Sequence, residues 1–193
     1  MCPNSGIPTR DFLEFYKDRM LFDDKQNKHN IEIEFELMNK ISSTHEEEVF
    51  KRGKSSENKK KNRCSNIIPA GSEMPILSTV VDGHNEYINA VFLPGHSNKK
   101  AFIITQMPLE STIIDLWRLI LDYEIKTIVM LNQGNQAEEM LYWPETKAPV
   151  HFGPFRIEQT SKENAELFTC LSLLMQYKKT DVTRVDYTVF WPQ

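Results

Sequence analysis

Ser111-Thr112-Ile113-Ile114-Asp115-Leu116-Trp117-Arg118-Leu119-Ile120-Leu121, followed by Ile125-Lys126-Thr127-Ile128-Val129-Met130-Leu131, decides the fold class. In the first run, Ile113, Ile114, Leu116, Trp117, Ile120 and Leu121 fall on one face of a helical repeat, and Ser111 stands where a capping residue belongs. The second run is rich in β-branched residues and nearly all apolar, the pattern of a strand buried on both faces. Short apolar runs at 76–81, 87–93 and 101–105, bounded by Pro, Gly and Asn, read as further strands. Strand, helix, strand at this spacing predicts a crossover connection and some parallel sheet. Downstream, 152–159 and 182–190 read as strands with a Ser/Lys/Glu/Asn turn between them.

Upstream, positions 12, 13, 16, 19 and 20 share one helical face, with Thr9 placed to cap the helix. Asp23 to Asn30 is polar and reads as a linker. Ile31 to Leu37 alternates apolar and acidic residues, which alone suggests a strand. Ile31, Phe35, Met38 and Ile41 also suit a helix, and the Glu and Leu content decides for helix. Ser42 to Asn62 reads as a polar loop closing on Lys59-Lys60-Lys61-Asn62-Arg63. A basic run of this kind is either a solvated loop, the commoner case, or a nuclear import signal.

Composition bounds the function. The chain has 193 residues, 40% hydrophobic and 26% charged, as ordinary globular domains do. A net charge of −4 argues against nucleic acid as the main partner. No apolar run approaches the length needed to span a bilayer, and Met1-Cys2-Pro3-Asn4-Ser5 does not resemble a secretory signal. Cys2, Cys64 and Cys170 share no ligand spacing and the five histidines are scattered, so neither a metal site nor a cofactor is expected.

Several segments together resemble the protein tyrosine phosphatase family. Lys61-Asn62-Arg63-Cys64-Ser65-Asn66-Ile67-Ile68-Pro69 resembles the loop that holds phosphotyrosine. Glu86-Tyr87-Ile88-Asn89-Ala90 resembles the family's Asp-Tyr-Ile-Asn-Ala, and Phe102 to Leu109 its Tyr-Ile-Ala-Thr-Gln-Gly-Pro-Leu. Asp115-Leu116-Trp117-Arg118, Ile128 to Leu131, Tyr142-Trp143-Pro144 and Phe152-Gly153-Pro154-Phe155 continue the series in order. Ile7-Pro8, the following helix and Glu34 to Asn39 resemble the junction between tandem domains of receptor-type enzymes, closest to the kappa/mu-like subgroup.

The resemblance implies an α/β fold: an incomplete tyrosine phosphatase domain, with a mixed twisted sheet and flanking helices, preceded by a helical linker. Residues 1–60 are expected to be that linker and lead-in. Residues 61–193 are expected to be the N-terminal half of a second, membrane-distal domain, ending at the acid loop. Lys61, Asn62 and Arg63 carry over to the phosphotyrosine loop, and Trp191, Pro192 and Gln193 to the acid loop. Asn62 and Arg63 suit either phosphate contact or a structural role.

Family chemistry needs a thiolate in a His-Cys-x-x-Gly-x-x-Arg loop of backbone amides. No such string occurs in the chain, so no catalytic residue is assigned. The acid loop begins Trp-Pro-Asp in active members, whereas Trp191-Pro192 is followed by Gln193, which carries no titratable proton. Cys64 stands where the family has a tyrosine, and Met107 where it has a glycine.

The implied protein is a catalytically incompetent regulatory or docking module. Its partner would be a phosphotyrosine protein or an active phosphatase domain, with no nucleic acid and no membrane contact of its own. Its location would be cytoplasmic, in a parent that is a single-pass receptor. The alternatives are a fragment or isoform of an active receptor phosphatase, and a nuclear or adaptor protein using the basic run.

Single residues carry simpler expectations. Cys64 is a passive thiol, Cys170 and Trp117 are core, and Arg118 pairs with a carboxylate. Asp115, His84 and His151 have no acid–base partner, with Asp115 favoured by the helix dipole. The apolar strand at 125–131 is expected to keep an unpaired edge and leave the chain marginally stable.

Overall fold

The computed structural model describes residues 7–44, 46–131, 141–166, 168–177 and 185–192. Gln193 and Cys2 lie outside them. The chain divides into two compact units, residues 1–47 and 48–193.

The first unit is a helical hairpin. Helix α1 (Phe12–Arg19) follows a single 3-10 turn at Thr9–Asp11, so Thr9 sits inside that turn and does not cap. The stretch expected as a linker is a small antiparallel hairpin, β1 (Phe22–Asp23) with β2 (Lys28–His29). Its turn is closed by the Asp23 carboxylate, which accepts from the Lys25 and Gln26 amides, and Asn27 takes a positive φ of 53°. These bonds hold the Asp23 carboxyl below its ordinary range, the Gln26 side chain contributing most. Helix α2 (Asn30–Ser42) is where composition placed it. Its first turn is closed by Glu32, whose carboxylate accepts from the His29 amide at 2.7 Å.

The second unit begins in the segment expected as a polar loop, and it is not one. A 3-10 turn at Glu47–Phe50, which starts on the last residue of the first unit, leads into helix α3 (Lys51–Lys54) and a 3-10 turn at Lys59–Lys61. Asn58, which is buried, donates to the Arg52 carbonyl, and Asn62 donates to that of Gly53. Polar composition hid this, because the stabilising groups are asparagines bonding to backbone rather than apolar side chains.

Strands β3 (Ala90–Leu93) and β4 (Phe102–Thr105) pair antiparallel as a two-stranded sheet. Among the described residues the run at 76–81 forms no ladder apart from a lone bridge between Val81 and His84. Its backbone is satisfied by side chains instead. The Ile76 amide donates to the Tyr123 hydroxyl, and the Ser78 and Thr79 amides donate to the Asp122 carboxylate.

Helix α4 (Ile113–Asp122) is entered through a 3-10 turn at Glu110–Thr112, so Thr112 rather than Ser111 borders it. The Leu109 amide donates to the Thr112 hydroxyl at 2.9 Å. Ile113, Leu116, Trp117 and Ile120 pack into the larger core with Phe155, Ile157, Leu171, Leu173 and Met175. Leu119 enters a second core with Leu77, Ile88 and Ala90. A helix between two cores buries nearly its whole circumference, and each large apolar side chain so placed contributes roughly 1.5–3 kcal/mol. Trp117 is fully buried, as expected, and donates its indole N–H to the Tyr142 carbonyl at 3.1 Å.

Among the described residues five strands make the main sheet, in the order β5-β9-β8-β7-β6: β5 (Thr127–Val129), β6 (Val150–Phe152), β7 (Phe155–Asn164), β8 (Phe168–Tyr177) and β9 (Val185–Pro192). Parallel pairing is present between β5 and β9, but α4 does not join two strands of one sheet, because β4 belongs to the smaller one. Ser161 to Asn164 continue β7 instead of turning, and β8 was not anticipated. Cys170 lies on β8 and is partly exposed, not core, while its neighbour Leu171 takes the buried side. The β5 region is not buried on both faces either. Val129 is 61% and Leu131 85% exposed, and β5 bonds a strand on one side only among the described residues.

Candidate functional site

Lys61, Asn62 and Arg63 sit together where the turn after α3 meets the loop between β4 and α4. The loop clasps the segment from both directions. The Arg63 amide donates to Gln106 Oε1 at 2.8 Å, and Gln106 Nε2 returns a bond to the Lys61 carbonyl at 2.8 Å. The Arg63 guanidinium donates to the Met107 carbonyl at 3.2 Å and the Pro108 carbonyl at 3.1 Å. Arg63 is thus committed to backbone carbonyls, using the planar fork that lysine lacks.

Asn62 is committed too. Its Nδ2 donates to the Gly53 carbonyl, while its Oδ1 accepts from the Tyr87 hydroxyl at 2.5 Å and from Asn89 at 3.0 Å. Burial is the main influence on the Tyr87 hydroxyl and pushes it up to about 12. A water-sized cavity of about 10 Å³ lies between Lys61, Asn89, Gln106, Pro108 and Leu116.

Lys61 points inward. Its ammonium donates to Asp115 Oδ2 at 2.9 Å, Asn85 Oδ1 at 2.7 Å and the Tyr87 carbonyl at 3.2 Å. Asp115 has no exposed surface, and its other oxygen meets Arg118 Nη1 at 2.8 Å and His84 Nδ1 at 2.9 Å. Arg118 therefore pairs with a carboxylate, as expected, and also donates to the Thr79 and Asn85 carbonyls. Asp115 and His84, for which the sequence offered no acid–base partner, are paired with one another, and Asp115 also with Lys61 and Arg118. The helix dipole is a minor part of Asp115's setting, because two cations and an imidazole touch it directly. The spacing of Asp115 and Arg118 one helical turn apart was the available signal, and the distant Lys61 and His84 gave none.

Within the basic run, Lys61 is drawn into the interior and the Arg63 guanidinium donates to backbone carbonyls, while Lys59 and Lys60 are exposed. Cys64 is exposed. Burial, with Glu163 adding to it, pushes the Cys170 thiol up. The backbones of Trp191 and Pro192 close β9, in register with Thr169 and Phe168 of β8. Gln193 lies outside the described residues. Among the described residues no group of three or more His, Cys, Asp or Glu is arranged to hold a metal, and no helix is long and apolar enough to cross a membrane.

With fold and site in place, the comparisons with known proteins agree with one another. The family model for protein-tyrosine phosphatase matches residues 58–193. The chain belongs to the protein-tyrosine phosphatase family. Its relatives include receptor-type tyrosine-protein phosphatase U of Gallus gallus, 32% identical over 165 residues, covering 83% of this chain and 11% of that protein. Receptor-type tyrosine-protein phosphatase zeta of Rattus norvegicus is 31% identical over 179 residues, 92% of this chain and 8% of that protein. The chain thus spans about a tenth of the length of these curated relatives.

Among solved structures, the catalytic domain of human protein tyrosine phosphatase non-receptor type 18 superposes with a TM-score of 0.73 at 26% identity, over 83% of this chain and 59% of that one. The fold is the mixed helix-and-sheet phosphatase fold, represented in part.

Proposed function

We propose that this chain is a second-domain-like, kappa/mu-like receptor phosphatase module that is catalytically incompetent as given and works by regulation or docking. The observation that carries this is chemical. The 193 residues contain no His-Cys-x-x-Gly-x-x-Arg string to supply a low-pKa thiolate and a phosphate clamp. Two site features support it. Asn62 and Arg63 use their side chains on the protein's own backbone and on Tyr87 and Asn89. Cys64 replaces the aromatic ring that would line the substrate ring, and Gln193 replaces the acid.

The partner would be a phosphotyrosine protein or an active phosphatase domain, met in the cytoplasm. Residues 61–193 would form the phosphatase-like part and 1–60 the lead-in. The small share of each relative that the chain spans favours a second reading, in which it is a portion of an active receptor phosphatase whose nucleophile is supplied elsewhere in the parent.

Turnover of an aryl phosphate by the purified chain, with reductant and without metal, tests the first reading. A rate no greater than buffer supports it. Vanadate-sensitive turnover that disappears in Cys64→Ser overturns it.

A further inference from the structure

Tyr123 closes helix α4, with Asp122 before it and Glu124 after it. Glu124 takes a positive φ of 49°, and Lys126 and Thr127 beyond it are exposed, so the chain reverses here at the surface. The Tyr123 ring stands edge-on to Phe92 with centroids 5.3 Å apart, and the residue is 36% exposed. Its hydroxyl makes two bonds to one residue. It accepts from the Ile76 amide at 2.9 Å and donates to the Ile76 carbonyl at 3.1 Å. Asp122 accepts from the Ser78 and Thr79 amides. Two adjacent side chains at one helix end therefore fasten 76–79, which among the described residues has no ladder of its own.

We propose that Tyr123 is a phosphorylation site for a tyrosine kinase, and that its modification loosens residues 76–79 from α4. In the step, the Tyr123 hydroxyl oxygen attacks the γ-phosphorus of ATP. The new O–P bond replaces the one to the β–γ bridging oxygen, ADP leaves, and the phenolic proton passes to the kinase. Acidic residues on both sides of the tyrosine are the kind of charge pattern by which kinases choose substrates.

The consequence follows from charge and from the lost donor. Esterification removes the proton that the Ile76 carbonyl accepts. The phosphoryl group adds roughly two negative charges next to the Asp122 carboxylate and at the negative end of the α4 dipole, both of which repel it. The two holds on 76–79 weaken together. The buried Leu77 side chain and the Leu77 amide, which donates to the Glu86 carbonyl at 3.1 Å, do not depend on Tyr123. The stretch therefore loosens about a fixed point. None of this depends on whether the chain binds or hydrolyses phosphotyrosine.

The full chain, incubated with Mg-ATP and the catalytic domain of a broad-specificity tyrosine kinase, tests the proposal by tandem mass spectrometry. A phosphoryl group is expected on Tyr123, with exposed Tyr16 as the reference for access and buried Tyr87 and Tyr142 as reporters of unfolding. Residue-resolved amide hydrogen exchange then reads the effect. The Ile76, Ser78 and Thr79 amides are expected to exchange about tenfold faster in the phosphorylated chain, while those of Leu77 and Arg63 keep their rates. Unphosphorylated Tyr123→Phe removes the hydroxyl without adding charge, so it is expected to speed Ile76 and leave Ser78 and Thr79 unchanged. A Tyr123 left unmodified, whether or not Tyr16 is taken, overturns the proposal. So does modification that reaches Tyr87 and Tyr142, because the kinase then acts on unfolded chain. Phosphorylated Tyr123 with unchanged exchange at Ser78 and Thr79 overturns it as well.

Discussion

Lys61 and Asp115, 54 positions apart, form a 2.9 Å ion pair that fastens the phosphotyrosine-loop-like segment to helix α4. Asp115 is wholly buried and Lys61 is 14% exposed, so solvent does little to screen the pair. Such a pair is no guarantee of net stability, but breaking it on one side is expensive. Asp115→Ala leaves Lys61 and Arg118 without their anion, and the expected cost is about 3–5 kcal/mol in urea unfolding. Lys61→Met alone should cost less, because Asp115 keeps Arg118 and His84. A double-mutant cycle should show coupling of at least about 1 kcal/mol, and additive effects would mean that the pair is incidental.

Tyr87 makes stability depend on alkaline pH. Its hydroxyl is raised from 10.0 to about 12 by burial, so between those values the unfolded chain releases a proton that the folded chain retains. The folded state then binds more protons, and its stability falls as pH rises. The contribution is fully present below pH 10 and is lost as pH rises through about 12, on the order of 3 kcal/mol in all. Tyr142, also raised by burial, acts in the same direction. Urea midpoints from pH 8 to pH 11.5 should fall with increasing slope above 10. In Tyr87→Phe the fall should be shallower, from a lower starting point because Asn62 loses its donor.

The sequence was most legible where apolar side chains carry the fold. Helix α4, strands β3 and β4, and buried Trp117 follow from periodicity and burial alone. The phosphotyrosine-loop-like segment was found through its resemblance to the family. What stayed hidden was built from polar side chains bonding to backbone. Asn58 and Asn62 shape the segment before Arg63, and Asp122 holds the stretch at 76–81 out of any ladder. Such bonds leave no periodic trace, because one asparagine or aspartate replaces a row of contacts. Asp115 was hidden for a related reason: three of its partners lie on three different segments, and only Arg118 is near it in sequence.

Gly53 is required by packing rather than by its backbone angles. A Cβ built there would lie 2.4 Å from Ile68 Cγ2 and 2.9 Å from the Tyr87 hydroxyl. Tyr87 cannot retreat without losing Asn62, so Gly53→Ala should destabilise by about 1–3 kcal/mol despite alanine's better helix propensity. Gly83→Ala is the contrast. Its site is open, but φ is +80°, so any cost there comes from the backbone. Thermal unfolding of both variants separates the mechanisms, since Tyr87→Phe should relieve part of the first and none of the second.

Strand β5 is an edge strand among the described residues and so a candidate for association through the backbone. Among the described residues it is held by β9 on one side only, and Val129 and Leu131 are exposed to solvent. Lys126 is the nearby charge of the kind that natural edges use to block pairing, and it lies before the strand rather than on it. Leu131→Lys puts a charge at the end of the edge at a site 85% exposed, where substitution should change stability by no more than about 0.5 kcal/mol. Light scattering during incubation near the thermal midpoint should then rise more slowly than for the unaltered chain, at an unchanged midpoint. Equal aggregation rates at equal stability would show that the edge is not where unfolding chains first meet.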